Sequence, residues 1–268
     1  MLLLVPLLLS LSAAPTAQEP PPAPTPEAVE AALAALKTAF DAKDHRERIG
    51  AILEHGWIDE ERVIAYVSRG LSDRDAEVRI VAVEALGGMH SDRSLEALTR
   101  YFERRHNKTR RDPELWPRLF RAVGRRGDPR AIPTLLQSVR EQMSRATIRA
   151  RLFALANIRS KDSVAGVLEV LERLEERHRE ASMEDARTAL LVLTGERIAG
   201  DEQALRDWWA ARPPEYTLPA EAPRLEGPAW EAWREFWELP EREPAPDAGD
   251  GDSRGAADEP PPNGQSGR

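Results

Sequence analysis

Side chains suited to covalent or metal chemistry are scarce in this sequence. It contains no cysteine, which excludes disulfides, thiolate nucleophiles, cysteine-ligated zinc and iron–sulfur centres. Among its five histidines (His45, His55, His90, His106 and His178) no two stand three or four residues apart, the spacing that turns two imidazoles toward one metal from a helix face. There is no Gly-rich phosphate loop, nucleophile elbow or zinc-protease helix. The carboxylate pairs Asp73 with Asp75 and Glu184 with Asp185 fall in expected turns or first helical turns, where binding free amide hydrogens explains them better than acid–base work. These residues give no reason to expect a cofactor, a metal or an enzymatic activity.

Charge is distributed more tellingly. The formal net charge is −8, yet residues 100–151 carry 15 Lys and Arg against 5 Asp and Glu, a net of +10. The flanking segments are acidic, at −7 over 1–99, −3 over 152–212 and −8 over 213–268. Within this basic belt Arg104, Arg105, Lys108, Arg110 and Arg111 fall in a polar loop, and Arg118, Arg121, Arg125, Arg126 and Arg130 lie on or just after the next helix. Gathered on one face they would attract an acidic protein, a polysaccharide or a nucleic acid; dispersed, they are solvated surface. A second candidate is Trp230, Trp233, Phe236 and Trp237, whose offsets of zero, three, six and seven put four aromatics on one helical face. Such a helix either covers the end of a helical stack or docks on another protein or a membrane, and its acidic flanks disfavour an anionic membrane.

The elements that must carry these groups are helices. The chain is 31% charged with few aromatics, which suits helices with one apolar stripe and one wet face. No sustained apolar/polar alternation between strand turns is found. Residues 1–17 read as a signal peptide, with an apolar run from Leu2 to Leu11 and small residues after it, too short for a permanent anchor. The chain is therefore expected to be exported, to the periplasm or beyond the cell, with no stable membrane insertion once the leader is gone. Residues 18–25 form a Pro-rich linker. Thr25 and Pro26 then open a first helix carrying Val29, Leu33, Leu36 and Phe40. Residues 213–227 form a further linker, 228–240 the aromatic helix, and 241–268 a disordered acidic tail expected to lie transiently over the belt.

Between the linkers, residues 26–212 repeat a helix, an aspartate-marked turn and a second helix. The turn aspartates Asp59, Asp92, Asp128, Asp162 and Asp201 are 33, 36, 34 and 39 residues apart. Each is expected to cap the helix after it, and Gly56, Gly87, Gly124 and Gly195 to end the helix before it in a left-handed conformation. A period of this size in paired helices means stacked hairpins, because one pair cannot bury its own apolar stripe. The spacing predicts a right-handed α-solenoid of about five antiparallel hairpins.

Two stretches, Asp75-Ala-Glu-Val78-Arg79 continuing to Ala85-Leu86-Gly87 and Asp92, and Arg118 to Gly124 followed by Gly127-Asp128-Pro129-Arg130-Ala131-Ile132-Pro133, resemble HEAT repeats. The second is similar to the short HEAT-like repeats named after the phycobilisome lyases. The hairpin with Leu193-Thr194-Gly195, Asp201 and Trp208-Trp209 resembles the last segment of exported bacterial HEAT-like proteins. The tetratricopeptide repeat shares the period, but its Trp, Leu-Gly and Tyr signature is missing. The resemblance, over about residues 45–215, implies layers linked through first-helix arginines, here Arg79, Arg118, Arg149 and Arg187. It implies a non-enzymatic interaction module or assembly scaffold with a protein partner; the alternative is a polyanion-binding protein using the belt.

Overall fold

The computed structural model describes residues 24–105, 113–139 and 143–241. The leader, Lys108, Arg110, Arg111 and the tail beyond Glu241 lie outside the described residues. Twelve α-helices run through the described residues: α1 (Pro26–Asp41), α2 (His45–His55), α3 (Glu61–Gly70), α4 (Ala76–Gly88), α5 (Asp92–Arg105), α6 (Leu115–Arg125), α7 (Ile132–Leu136), α8 (Arg145–Asn157), α9 (Lys161–Glu172), α10 (Glu176–Thr194), α11 (Glu202–Ala210) and α12 (Gly227–Trp237). The chain divides into two compact units, one through Pro223 and one from Arg224, so α12 belongs to the second.

In the first unit the helices form two layers. Helices α2, α4, α6, α8 and α10 stack in succession as one layer, and α1, α3, α5, α7, α9 and α11 as the other. From α2 onward this is the expected series of five HEAT-like hairpins, with α1 added ahead of them in the second layer. The core lies between the layers, where Leu36, Val63, Val83, Phe102, Leu119, Phe153, Val167 and Leu190 are fully buried. Each contributes about 1.5–3 kcal/mol relative to exposure, and a hairpin obtains that burial only from its neighbours.

Helix starts follow local chemistry. Thr25 Oγ1 accepts from the Ala28 amide at 3.2 Å with Pro26 in the first turn. Asp44, Asp75 and Ser144 cap α2, α4 and α8. The turn aspartates behave differently from expectation. Only Asp128 and Asp201 cap; Glu60 takes that role for α3 and Ser160 for α9, while Asp92 and Asp162 already lie inside their helices. The reason is competition: Glu60 stands one residue nearer α3 than Asp59, Ser160 caps α9 two residues ahead of Asp162, and Asp92 is held by arginines of the next hairpin.

The glycines are corrected likewise. Only Gly195 ends a helix with positive φ, at 75°. Gly87 and Gly124 lie inside α4 and α6, and a Cβ on Gly87 would stand 2.6 Å from that of Ala122. Gly124 faces Ala154 on α8 in the same way. These glycines are there for close approach of adjacent hairpins, not for backbone freedom.

Helix α7 is only five residues long, preceded by a 3-10 turn at Pro129–Ala131. The backbone turns extended at Gln137, and Ser138 takes φ 56°. Carbonyls left open by this early stop are met by arginines: Arg173 donates to Leu136 O at 3.0 Å and Arg151 to Leu135 O.

Candidate interaction surfaces

The belt arginines resolve into three groups. The first surrounds Glu84 on α4: Arg121 reaches it at 2.6 Å and Arg118 and Arg125 at 3.8 Å each, all from α6. The second surrounds Asp92. Arg130 lies 2.6 Å and Arg126 3.2 Å from it, and Arg130 also holds Asp128 at 2.6 Å. Hydrogen bonds from Arg130 and then Arg126 depress the Asp92 carboxyl to about 2, and Arg130 also lowers Asp128. These five arginines therefore bridge successive hairpins. The third group, Arg104 and Arg105 at the end of α5, has no carboxylate within reach among the described residues and lines a groove against α3.

Similar pairs recur one period apart along both layers. In the second layer Arg62 meets Glu30 at 2.8 Å, Arg93 meets Glu61 at 3.4 Å and Arg206 meets Glu172 at 3.1 Å, each from a helix to the one before it. In the first, Arg149 on α8 meets Asp185 on α10 at 3.0 Å. Asp185 is buried in the middle of α10, so it links successive hairpins and does not bind the free amide hydrogens of a first turn, as its position beside Glu184 suggested. Of the other expected linkers, Arg79 donates to the Asp73 and Arg74 carbonyls of its own turn, both at 2.9 Å, and Arg187 to Gly200 O. Arg48 reaches Asp73 at 2.8 Å. Burial would raise Asp73, but the Asp75 amide and Arg48 outweigh it and the net shift is downward.

A further line of contacts runs through the turns. Asp59 accepts from the His90 and Ser91 amides at 2.7 and 2.8 Å. Arg126 donates to Ser91 O, Asn157 to Gly124 O at 2.9 Å, and Arg159 to Val192 O at 3.3 Å. Asp59 and Asp92 thus act between hairpins, while Asp128 and Asp201 cap within their own. Beyond α11, Pro219 O and Glu221 O accept from Arg159 and Pro214 O from Lys161, drawing residues 213–221 onto the turn before α9.

Sequence reasoning missed Arg151. It is 1% exposed and packs its guanidinium 4.1 Å from the Phe120 ring centre and 5.7 Å from that of Phe102. These rings form a cluster with Trp116 across α5 and α6. Among the described residues no carboxylate faces it; burial, and then the charge of Arg173, pull its pKa down to about 9. The available signal was its register: Ile148, Arg151, Leu152 and Leu155 share one face of α8, and nearly all of that helix is buried.

In the second unit, Trp233 and Trp237 are 5.6 Å apart and Phe236 and Trp237 4.8 Å apart between ring centres, on α12 with Trp230 one turn earlier. All four aromatics are half-buried. Among the described residues no group of three or more His, Asp or Glu could hold a metal ion, and no helix is long and apolar enough to cross a membrane.

No curated protein matches this chain. Residues 29–116, from α1 into the start of α6, match the family model for HEAT repeats, so the chain contains a HEAT-like repeat region within an all-α protein.

Proposed function

We propose that this protein is a non-catalytic protein-interaction module or assembly scaffold of the cell envelope. The observation that carries the reading is the use of its charged residues. Along both layers and along the turns, arginines and carboxylates one repeat apart hold hairpins in register. Such a rack presents a fixed surface to a partner at little ordering cost, which favours binding. Placement in the envelope rests on the apolar leader, and the likeness of the third hairpin to phycobilisome-lyase-type repeats extends the scaffold reading without adding a chemistry.

The reading is tested by affinity capture of the full chain from its own envelope fraction, followed by remaking the captured protein and titrating the pair directly. A stoichiometric complex of the purified pair is the expected outcome. Reproducible absence of any partner that binds on its own would overturn it. The polyanion alternative draws on the three arginines around the single Glu84 carboxylate, which leave surplus positive charge on α6. It requires displacement of a sulfated polysaccharide from the chain by modest salt.

A further inference from the structure

Among the described residues of the first unit, a cluster of unspent positive charge lies outside the paired part of the belt. Two open depressions adjoin at Ser72, where the second-layer helices end. One, of about 390 Å³, runs between α3 and α5 over Ala65, Ala97 and Tyr101 and is edged by Arg100, Arg104 and Arg105. The other lies at the end of α1 and the turn after α3, edged by Lys43, Arg69 and Arg74. Among the described residues, no carboxylate reaches Lys43, Arg74, Arg104 or Arg105. Arg69 faces only the Phe40 and Tyr66 rings, and Arg100 keeps a long 3.7 Å contact with Glu96. All six are exposed except Arg105, which is half-buried. Six cations therefore edge a trough made of two depressions that meet at Ser72, while the Asp73 carboxylate within it is already held by Arg48.

We propose that this trough across the ends of α1, α3 and α5 is the docking site for an acidic segment of a protein partner. The inference rests on the interaction-scaffold reading and gives it a place and a partner chemistry. Charge complementarity selects an anionic ligand, and two further features select a peptide over a nucleic acid or sulfated polymer. The opposite end of the α3/α5 groove carries Glu61 and Glu96, with Arg93 3.4 Å from each. A uniformly anionic polymer would meet those carboxylates, whereas a peptide can place its acidic residues only at the basic end. Ala65, Ala97 and the edge of Tyr101 form an apolar strip between the two ends that suits aliphatic side chains. The ligand direction follows: acidic residues lie toward Arg104 and Arg105, aliphatic ones over Ala97 and Ala65.

The test uses the full chain and a fluorescein-labelled probe peptide with glutamates in one half and leucines in the other, titrated by anisotropy at low and high salt. Two doubly reversed variants, Arg104→Glu with Arg105→Glu and Arg69→Glu with Arg74→Glu, are compared with Arg145→Glu, an exposed arginine at the start of α8. The native chain and the Arg145 variant should bind alike, and each double variant should lose about tenfold or more, at unchanged melting temperature for the Arg104 and Arg105 pair and with a small drop for the other, which gives up the Arg69 ring contacts. No binding by the native chain, or equal binding by the double variants, overturns the trough. So does a heparin or single-stranded DNA probe that binds more tightly than the peptide through the same arginines. A captured partner that the double variants still retain in full would overturn the trough while leaving the scaffold reading intact.

Discussion

Arg151 is the residue whose energetics are least ordinary. Its guanidinium is buried against Phe120 and Phe102 and satisfies Leu135 O, with no carboxylate beside it among the described residues. The cation–π contact contributes about 2 kcal/mol when desolvated, and a charge-assisted hydrogen bond about 1.5–3 kcal/mol. Against these stands a burial penalty of several kcal/mol for one ion. The two sides nearly cancel, so what Arg151 supplies is volume and a cap for the short α7. Arg151→Met, which keeps most of the stem, should leave stability within about 1 kcal/mol of the native chain or raise it. Arg151→Ala should cost about 2–4 kcal/mol by opening a cavity under the aromatic cluster. Urea unfolding of both variants measures the difference; a Met variant as damaged as the Ala variant would show that the charge itself is required. Counting arginines along the chain could not single out Arg151. Whether an arginine is exposed depends on what the neighbouring helices bury, and a helix buried nearly all round carries no polar face to read.

At the scale of elements, the helices were legible and their joints were not. Apolar spacing, Thr25-Pro26 and the repeating turns located the helices, because those signals act within one hairpin. The roles of the turn aspartates and of Gly87 and Gly124 depend on the next hairpin, about one period away, and local chemistry favoured the wrong partner for several of them. This distinction gives opposite signs for two similar substitutions. Gly50 lies in α2 with nothing near its Cβ position, so Gly50→Ala should stabilise by up to about 1 kcal/mol through helix propensity. Gly87→Ala gains the same propensity but forces α4 and α6 apart at Ala122. It should destabilise by a net of about 1–3 kcal/mol. Thermal melts of the two single variants suffice, and a stabilising Gly87→Ala would refute glycine-mediated layer contact.

Across the whole molecule, the charge asymmetry of the sequence has a spatial meaning that a count along the chain hides. The acidic segment 1–99 supplies Glu84 and Asp92, and the basic segment 100–151 supplies the arginines that meet them one hairpin on. The unspent cations Lys43, Arg69 and Arg74 come instead from the segment that counts as acidic. The belt was thus legible as charge but not as a site, since pairing depends on stacking. Pairing with arginines and amides, between hairpins and within them, also sets the response to acid. The Asp92 carboxyl is depressed to about 2, Asp128 and Asp73 are lowered, and Glu60 is lowered too, its burial outweighed by Arg62 and the Val63 amide. A carboxyl with a folded-state pKa below its unfolded value releases its proton more readily when folded. Its stabilising contribution is full above the unfolded pKa, about 4, and is lost as pH falls through the folded one. The first unit should therefore lose melting temperature between about pH 4 and about pH 2, as Asp92 and its counterparts release their arginines. Asp92→Asn removes one such carboxylate at every pH. It should melt below the native chain at neutral pH, with the gap closing as the pH falls from about 4 to about 2 and vanishing below. Melting curves of both chains across that range decide the matter: a gap that stays constant would mean that the Asp92 side chain acts by packing and not by its charge.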